Sequence, residues 1–296
     1  MRSAALQRTG VLAGVAATLL AMVSVQSGAA IAITLFATVG PVAVVALRLA
    51  TASAFLVSTA RPPAAALRTP MVVTLAGYGS VIAGMNCCFY LAIERVPLGV
   101  AVALEMVGPI AVAIIGSRRP RDLAAAALAA PSVLVLALAH GVDGPVTAAG
   151  VALALGAGAC WGGYILLSAH HARRLPGAQG LALAMTIAAV PVMLLALAGS
   201  GADLLSPRVL AIGAAVGLLS TALPGTLDAI ALRRLRSVTY ALVLSLSPAV
   251  AALSGFAIRD QQLSLAQWVG VVLVMVASAA AVTGAEPPDA AANTAL

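Results

Sequence analysis

Polar residues punctuate this chain at wide, regular intervals. Between them lie apolar runs near 10–32, 41–59, 70–93, 97–116, 122–140, 147–167, 178–199, 207–230, 236–257 and 264–283. The breaks are rich in Pro, Gly and Arg: Thr38-Val39-Gly40-Pro41, Arg61-Pro62-Pro63, Arg95-Val96-Pro97, Ser117-Arg118-Arg119-Pro120-Arg121, Gly141 to Pro145 and His170 to Gly177. Gly199 to Pro207, Arg233 to Arg236 and Arg259 to Gln262 complete the set. Such residues end one helix and start the next. A spanning helix needs about 20 mainly apolar residues. The pattern therefore predicts an all-α membrane protein of ten transmembrane helices, with no room left for a soluble catalytic domain.

Composition points the same way. Hydrophobic residues make up 62% of the 296 positions and charged ones 8%, with a mean hydropathy of +1.10. A soluble domain carries about 25% charged residues, so hydrocarbon must be the solvent here. The net charge of +7 does not indicate nucleic acid, because all 16 basic residues are arginines and most sit in the gaps between apolar runs. With the N-terminus in the cytoplasm, Arg2, Arg8, Arg61, Arg68, Arg118, Arg119, Arg121, Arg173, Arg174, Arg233, Arg234 and Arg236 fall inside. Arg95, Arg208 and Arg259 fall outside, and Arg48 lies within a span. That bias predicts both termini in the cytoplasm. Exclusive use of Arg beside abundant Ala, Val and Leu points to a GC-rich bacterial genome, and hence to the inner membrane. Met1 to Ala32 has the outline of a signal peptide, but its apolar run continues past a cleavage point and reads as an uncleaved first helix. The segment 284–296 reads as a disordered cytoplasmic tail.

The chain also repeats itself. Glu94 to Gly116 aligns with Arg233 to Gly255 at an offset of 139, matching Arg95 to Arg234, Pro109 to Pro248 and Gly116 to Gly255. A looser match pairs Gly28 with Gly163. Each unit, 10–140 and 147–283, holds five spans. An odd number turns the second copy upside down, as in transporters whose site lies between inverted repeats.

Charge inside a span costs about 2.5–3.5 kcal/mol on insertion scales, which singles out Arg48 and Glu105. They are either a structural ion pair or the lining of a transport pathway. Asp228, near Arg233, reads as an interfacial charge. Pro109 and Pro248 fall in mid-span and each removes a backbone donor. In hydrocarbon this is tolerable only where protein or a watery cavity supplies partners, so the pair points either to a central cavity or to a packing kink. Gln26, Asn86, Tyr90, Trp161, Tyr164, Tyr240 and Ser247 are further polar candidates for the pathway or for interhelical hydrogen bonds. Gly158-x-x-x-Gly162 reads as a close helix contact. Cys87, Cys88 and Cys160 read as small packing residues, and His140, His170 and His171 as solvated loop residues. No cofactor-binding, nucleotide-binding, metal-binding or catalytic pattern is readable, so the expectation is a transporter driven by a gradient and not an enzyme.

The residues also carry a family likeness. Gly84-Met85-Asn86, Phe89 to Ile93, Val96-Pro97-Leu98-Gly99, Ala101 to Glu105, Gly108-Pro109 and Ser117 to Pro120 resemble the threonine/homoserine exporter branch of the EamA-type drug/metabolite transporters. Ala46-Leu47-Arg48-Leu49, Ala152 to Trp161 and Leu219 to Pro224 extend the likeness over about 10–283. The resemblance implies two inverted EamA repeats and proton-driven export of small amino acids such as threonine or homoserine. Export of other small metabolites or drugs is the alternative. Two positions depart from the family pattern. Related exporters carry Glu-Pro where this chain has Ser247-Pro248, and Gly-Glu where it has Asp260-Gln261. Glu105 is left as the most central carboxylate.

Overall fold

The computed structural model describes residues 2–63, 71–115, 120–138, 146–172, 174–175 and 178–284. The described residues are helical apart from short turns. Thirteen α-helices follow one another: α1 (Arg2–Ala32), α2 (Phe36–Ala60), α3 (Met71–Ile93), α4 (Leu98–Glu105), α5 (Val107–Ile115), α6 (Pro120–Leu138), α7 (Ala148–Ala172), α8 (Gln179–Ser200), α9 (Pro207–Gly217), α10 (Leu223–Leu232), α11 (Ser237–Leu244), α12 (Ser247–Arg259) and α13 (Leu265–Gly284). Among the described residues, seven segments are long and apolar enough to cross a bilayer: Gly10–Ile33, Phe36–Ala60, Met71–Ile93, Ala148–Ser168, Gln179–Leu205, Pro207–Leu232 and Val238–Arg259. Leu98–Val112, Ala127–Leu138 and Leu265–Ala281 are shorter apolar helices. Leu12, Leu138 and Leu265 sit on their outer faces, as expected where lipid replaces water.

Packing follows a regular scheme. α2 lies along α8, and α6 along α13; α3 contacts α7 and α8, while α1 and α2 contact α10 and α9 respectively. α5 crosses α7, and α12 crosses α1. Small residues make the approaches possible, with Ala43, Ala46, Ala101, Ala103, Ala154, Ala157 and Ala184 all in the core.

Local chemistry explains the turns. Gly40 (φ 76, ψ 163) reorients the chain just before Pro41, so the regular part of α2 begins there. α2 ends at Arg61, which takes a left-handed conformation (φ 46) ahead of Pro62-Pro63. α12 ends the same way at Asp260 (φ 54), with the Gln261 N–H bonding the Gly255 carbonyl at 3.2 Å. That turn sends the Gln261 side chain to the start of α4, where its Oε1 accepts the Leu98 N–H at 3.1 Å. The N-cap of α4 is Pro97, which has no acceptor side chain, so the cap comes from 163 residues away.

Two of the apolar rods are broken in the middle. α4 gives way to α5 at Met106, and α11 to α12 at Ser245-Leu246. α4 and α11 have 8 residues each, and both of their ends are displaced by the offset of the sequence repeat. Between α9 and α10, Leu218–Ala222 forms a π turn, a local widening that is frequent at functional sites.

Candidate functional site

The breaks and the π turn converge on one cavity of about 200 Å³. α7 sets its inner edge. A methyl placed on Gly158 would lie 2.5 Å from the main-chain oxygen of Glu105, and one on Gly108 would overlap the Gly158 backbone outright. The Gly158-x-x-x-Gly162 motif therefore seats the α4–α5 break in van der Waals contact, and this holds Glu105 in place at the end of α4.

Arg48 from α2, Asn86 and Tyr90 from α3, Glu105 from α4, Trp161 from α7 and Ser247 from α12 all line the cavity. Arg48 Nη1 donates to Asn86 Oδ1, and Asn86 Nδ2 in turn donates to the Ile82 carbonyl at 2.8 Å. The guanidinium carbon stands 5.5 Å from the Tyr90 ring centroid, a cation–π distance. Tyr90 itself packs against Phe36 and Phe89, with ring centroids 6.1 and 5.9 Å away. The direct contacts of Arg48 are thus neutral, while the Glu105 carboxylate is near enough to interact with its charge. Among the described residues the ion pair is between Arg95 and Glu94, at 2.6 Å, and Arg48 and Glu105 do not form one. Five donors on a guanidinium exceed what Asn86 can use.

Other candidates lie elsewhere. Pro109 and Pro248 belong to the helix breaks and do not line the cavity. Tyr164 sits 5.6 Å from Tyr78, whose ring stacks on His171 at 5.1 Å. Tyr240 is not among the lining residues, but its side chain bonds Asp228, which is.

Two expectations need correction. His171 is buried within α7, where Nδ1 bonds the Leu167 carbonyl at 2.9 Å and Nε2 meets Thr74 Oγ1 at 3.3 Å. His170 is also helical, because α7 runs on past the hydrophobic segment; His140 lies outside the described residues. Asp228 lines the cavity instead of sitting at the interface alone. Gln261, noted above only as a departure from the family pattern, serves as a helix cap.

The lining also includes Gln26 and Ser220. Gln26 Oε1, Ser220 Oγ and Tyr90 Oη are buried without a hydrogen-bond partner among the described residues. The signal for Ser220 in sequence was the Leu219 to Pro224 stretch, which carries the family likeness without revealing the π turn. Chemically, the site offers a guanidinium for an anionic group, carboxylates for a cation, and neutral polar atoms, all in a mainly apolar chamber.

Comparison with known proteins agrees with this architecture. The EamA-like transporter family signature matches residues 148–283. The chain is 41% identical over 261 residues to the threonine/homoserine exporter RhtA of Escherichia coli (strain K12), the alignment covering 88% of each protein. The protein of the same name from Salmonella typhimurium (strain LT2) matches with the same identity and coverage. A solved crystal structure, 22% identical, superposes with a TM-score of 0.58 over 92% of this chain and 97% of its own, and shares the fold. The chain is a multi-pass membrane transporter, not an enzyme, and it belongs to the EamA-like transporter family, in the threonine/homoserine exporter branch.

Proposed function

We propose that the protein is a proton-coupled exporter of small amino acids of the threonine and homoserine kind. The observation that carries this is the unpaired placement of Arg48 and Glu105 on one cavity wall system. A zwitterion brings a carboxylate for the guanidinium and an ammonium for Glu105. A bare carboxylate in a largely apolar chamber is costly, so Glu105 holds either the cargo's ammonium or a proton. Exchange of one for the other couples export to the proton gradient. A cavity of about 200 Å³ falls below the roughly 300–1,000 Å³ of pockets for drug-sized ligands, which favours small cargo over drugs. The relatives named as threonine/homoserine exporters support the same substrate class.

The architecture in this reading is ten spans in two inverted halves, 10–140 and 147–283, in a bacterial inner membrane with both termini cytoplasmic. Its support is the exchange symmetry of the packing. Swapping the halves carries the α3–α7 contact onto α1–α10, α5–α7 onto α12–α1, and α3–α8 onto α2–α9. The tail 285–296 lies outside the described residues.

The test is flux from proteoliposomes loaded with radiolabelled threonine or homoserine, with and without an imposed pH gradient. Gradient-stimulated efflux of either is the expected result. Efflux indifferent to the gradient removes proton coupling, and absence of amino-acid flux removes the substrate assignment.

A further inference from the structure

Of the nine carboxylate side chains in the sequence, seven sit in or beside the breaks between apolar runs and in the C-terminal tail. The other two, Glu105 and Asp228, both line the cavity. They reach it at different depths. Glu105 stands halfway along the apolar segment Leu98–Val112. Asp228 lies four residues before the end of Pro207–Leu232, about 6 Å of helix rise. The exposed Arg233 and Arg234 follow that end directly. Asp228 is therefore the carboxylate nearer the arginine-rich side, the cytoplasmic one by the positive-inside rule.

Two arginines within six residues offer Asp228 an ion pair, yet among the described residues it forms one with neither. Its bond is to the Tyr240 hydroxyl of α11. The Tyr240 ring is fixed in turn by a small apolar cluster, separate from the main core, that joins Ala17 of α1 to Ala231 and Leu235. Leu235 also presses on α1 at Gly14, where a methyl would lie 2.6 Å from it. A carboxylate offers about four acceptor sites on its two oxygens. One tyrosine hydroxyl orients Asp228 and leaves acceptor capacity for the cavity that it lines. Joining α10 to α11 needs only a neutral acceptor, and a charge in an apolar chamber costs far more. The charge of Asp228 thus has a use besides holding Tyr240.

We infer that Asp228 is a second cation-binding carboxylate of the transport pathway, which receives the cargo's ammonium at the cytoplasmic end of the cavity before Glu105 does, with Tyr240 as its positioning residue. This rests on the amino-acid export reading and adds a loading step to it. The order follows from depth. Cargo arriving from the arginine-rich side meets Asp228 first, and Glu105 with Arg48 second. The ammonium is handed from one anion to the next and is not left bare in an apolar chamber. Because Asp228 acts on arrival, its loss weakens loading more than the later exchange at Glu105, so KM moves more than the saturated rate.

The experiment measures threonine uptake into inside-out membrane vesicles, which present the cytoplasmic face to the medium. Asp228→Asn keeps an acceptor for Tyr240 and removes the charge. It should raise KM for threonine about tenfold, equivalent to about 1.4 kcal/mol, with a smaller change in the saturated rate. Asp228→Glu restores the charge and should bring KM back towards the wild type, and Tyr240→Phe should raise KM by a smaller factor than Asp228→Asn. KM does not depend on the amount of folded protein; should Asp228→Asn fail to accumulate, Asp228→Ser carries the same expectation. A plain interhelical hydrogen bond predicts an unchanged KM in Asp228→Asn. That result, or a KM raised equally in Asp228→Glu, overturns the inference while leaving amino-acid export standing. Wild-type vesicles that take up no threonine overturn both.

Discussion

The two broken helices occupy equivalent positions and solve the same problem differently. Each break precedes a proline, Pro109 or Pro248, that cannot donate to the carbonyl one turn earlier, on Glu105 or Leu244. In the second break, Ser247 supplies the missing donor, its hydroxyl bonding the Leu244 oxygen at 2.7 Å. The first break has Gly108 at the equivalent place, and nothing larger fits, because the Gly158 backbone of α7 lies against it. Both breaks reach the cavity, one with the carboxylate of Glu105 and the other with the apolar Leu244 and with Ser247, whose hydroxyl is already given to the Leu244 carbonyl. One break has been given to chemistry and held by a close helix crossing. The other is self-satisfied and serves as packing.

Making the first break resemble the second is the harshest way to test this contrast. Gly108→Ser forces α5 away from α7, and overpacking of this kind costs about 1–3 kcal/mol or more. A thermal melt in detergent should show a large drop, and a wild-type melting temperature would mean that the crossing is not tight. The proline variants come next. Pro109→Ala supplies a donor to the carbonyl at the cavity-facing residue Glu105, whereas Pro248→Ala only competes with Ser247. Efflux should therefore fall further in the first variant, with insertion retained in both. Equal losses would erase the distinction between the breaks.

Smaller effects concern the supports. Gln261→Ala removes the cap of α4 and should cost about 1 kcal/mol, while Gln261→Glu keeps an acceptor and should melt close to wild type. A matching loss in both would show that the bond to Leu98 does not matter. Ser247→Ala should have the least effect, under about 1 kcal/mol, since only one carbonyl partner is lost. A drop as large as that of Gly108→Ser would reverse the comparison.

Much of this plan was legible in the residues. Apolar run length gave the helices, the two prolines marked the breaks, and the 139-residue offset placed them in register. Mid-span charge singled out Arg48 and Glu105, which share the cavity. What stayed hidden depends on contacts distant in the chain. Helical period says nothing about whether Arg48 reaches Asn86 or Glu105. Ser220 reads like any helical serine until the π turn removes its usual partner. His171 looked like a loop residue because hydropathy falls near 168, although α7 continues to Ala172 and buries the ring on Tyr78. Gln261 caps a helix that no local pattern connects with it.

The central claim is that Arg48 and Glu105 serve cargo and proton instead of each other. Gradient-driven threonine efflux and thermal stability of Glu105→Gln, Arg48→Gln and the double variant decide it most directly. The account predicts that Glu105→Gln melts near the wild type yet has no proton-coupled efflux, and that the double variant is equally inactive. Efflux restored in the double neutral variant would contradict it, because only a structural pair is repaired by removing both charges.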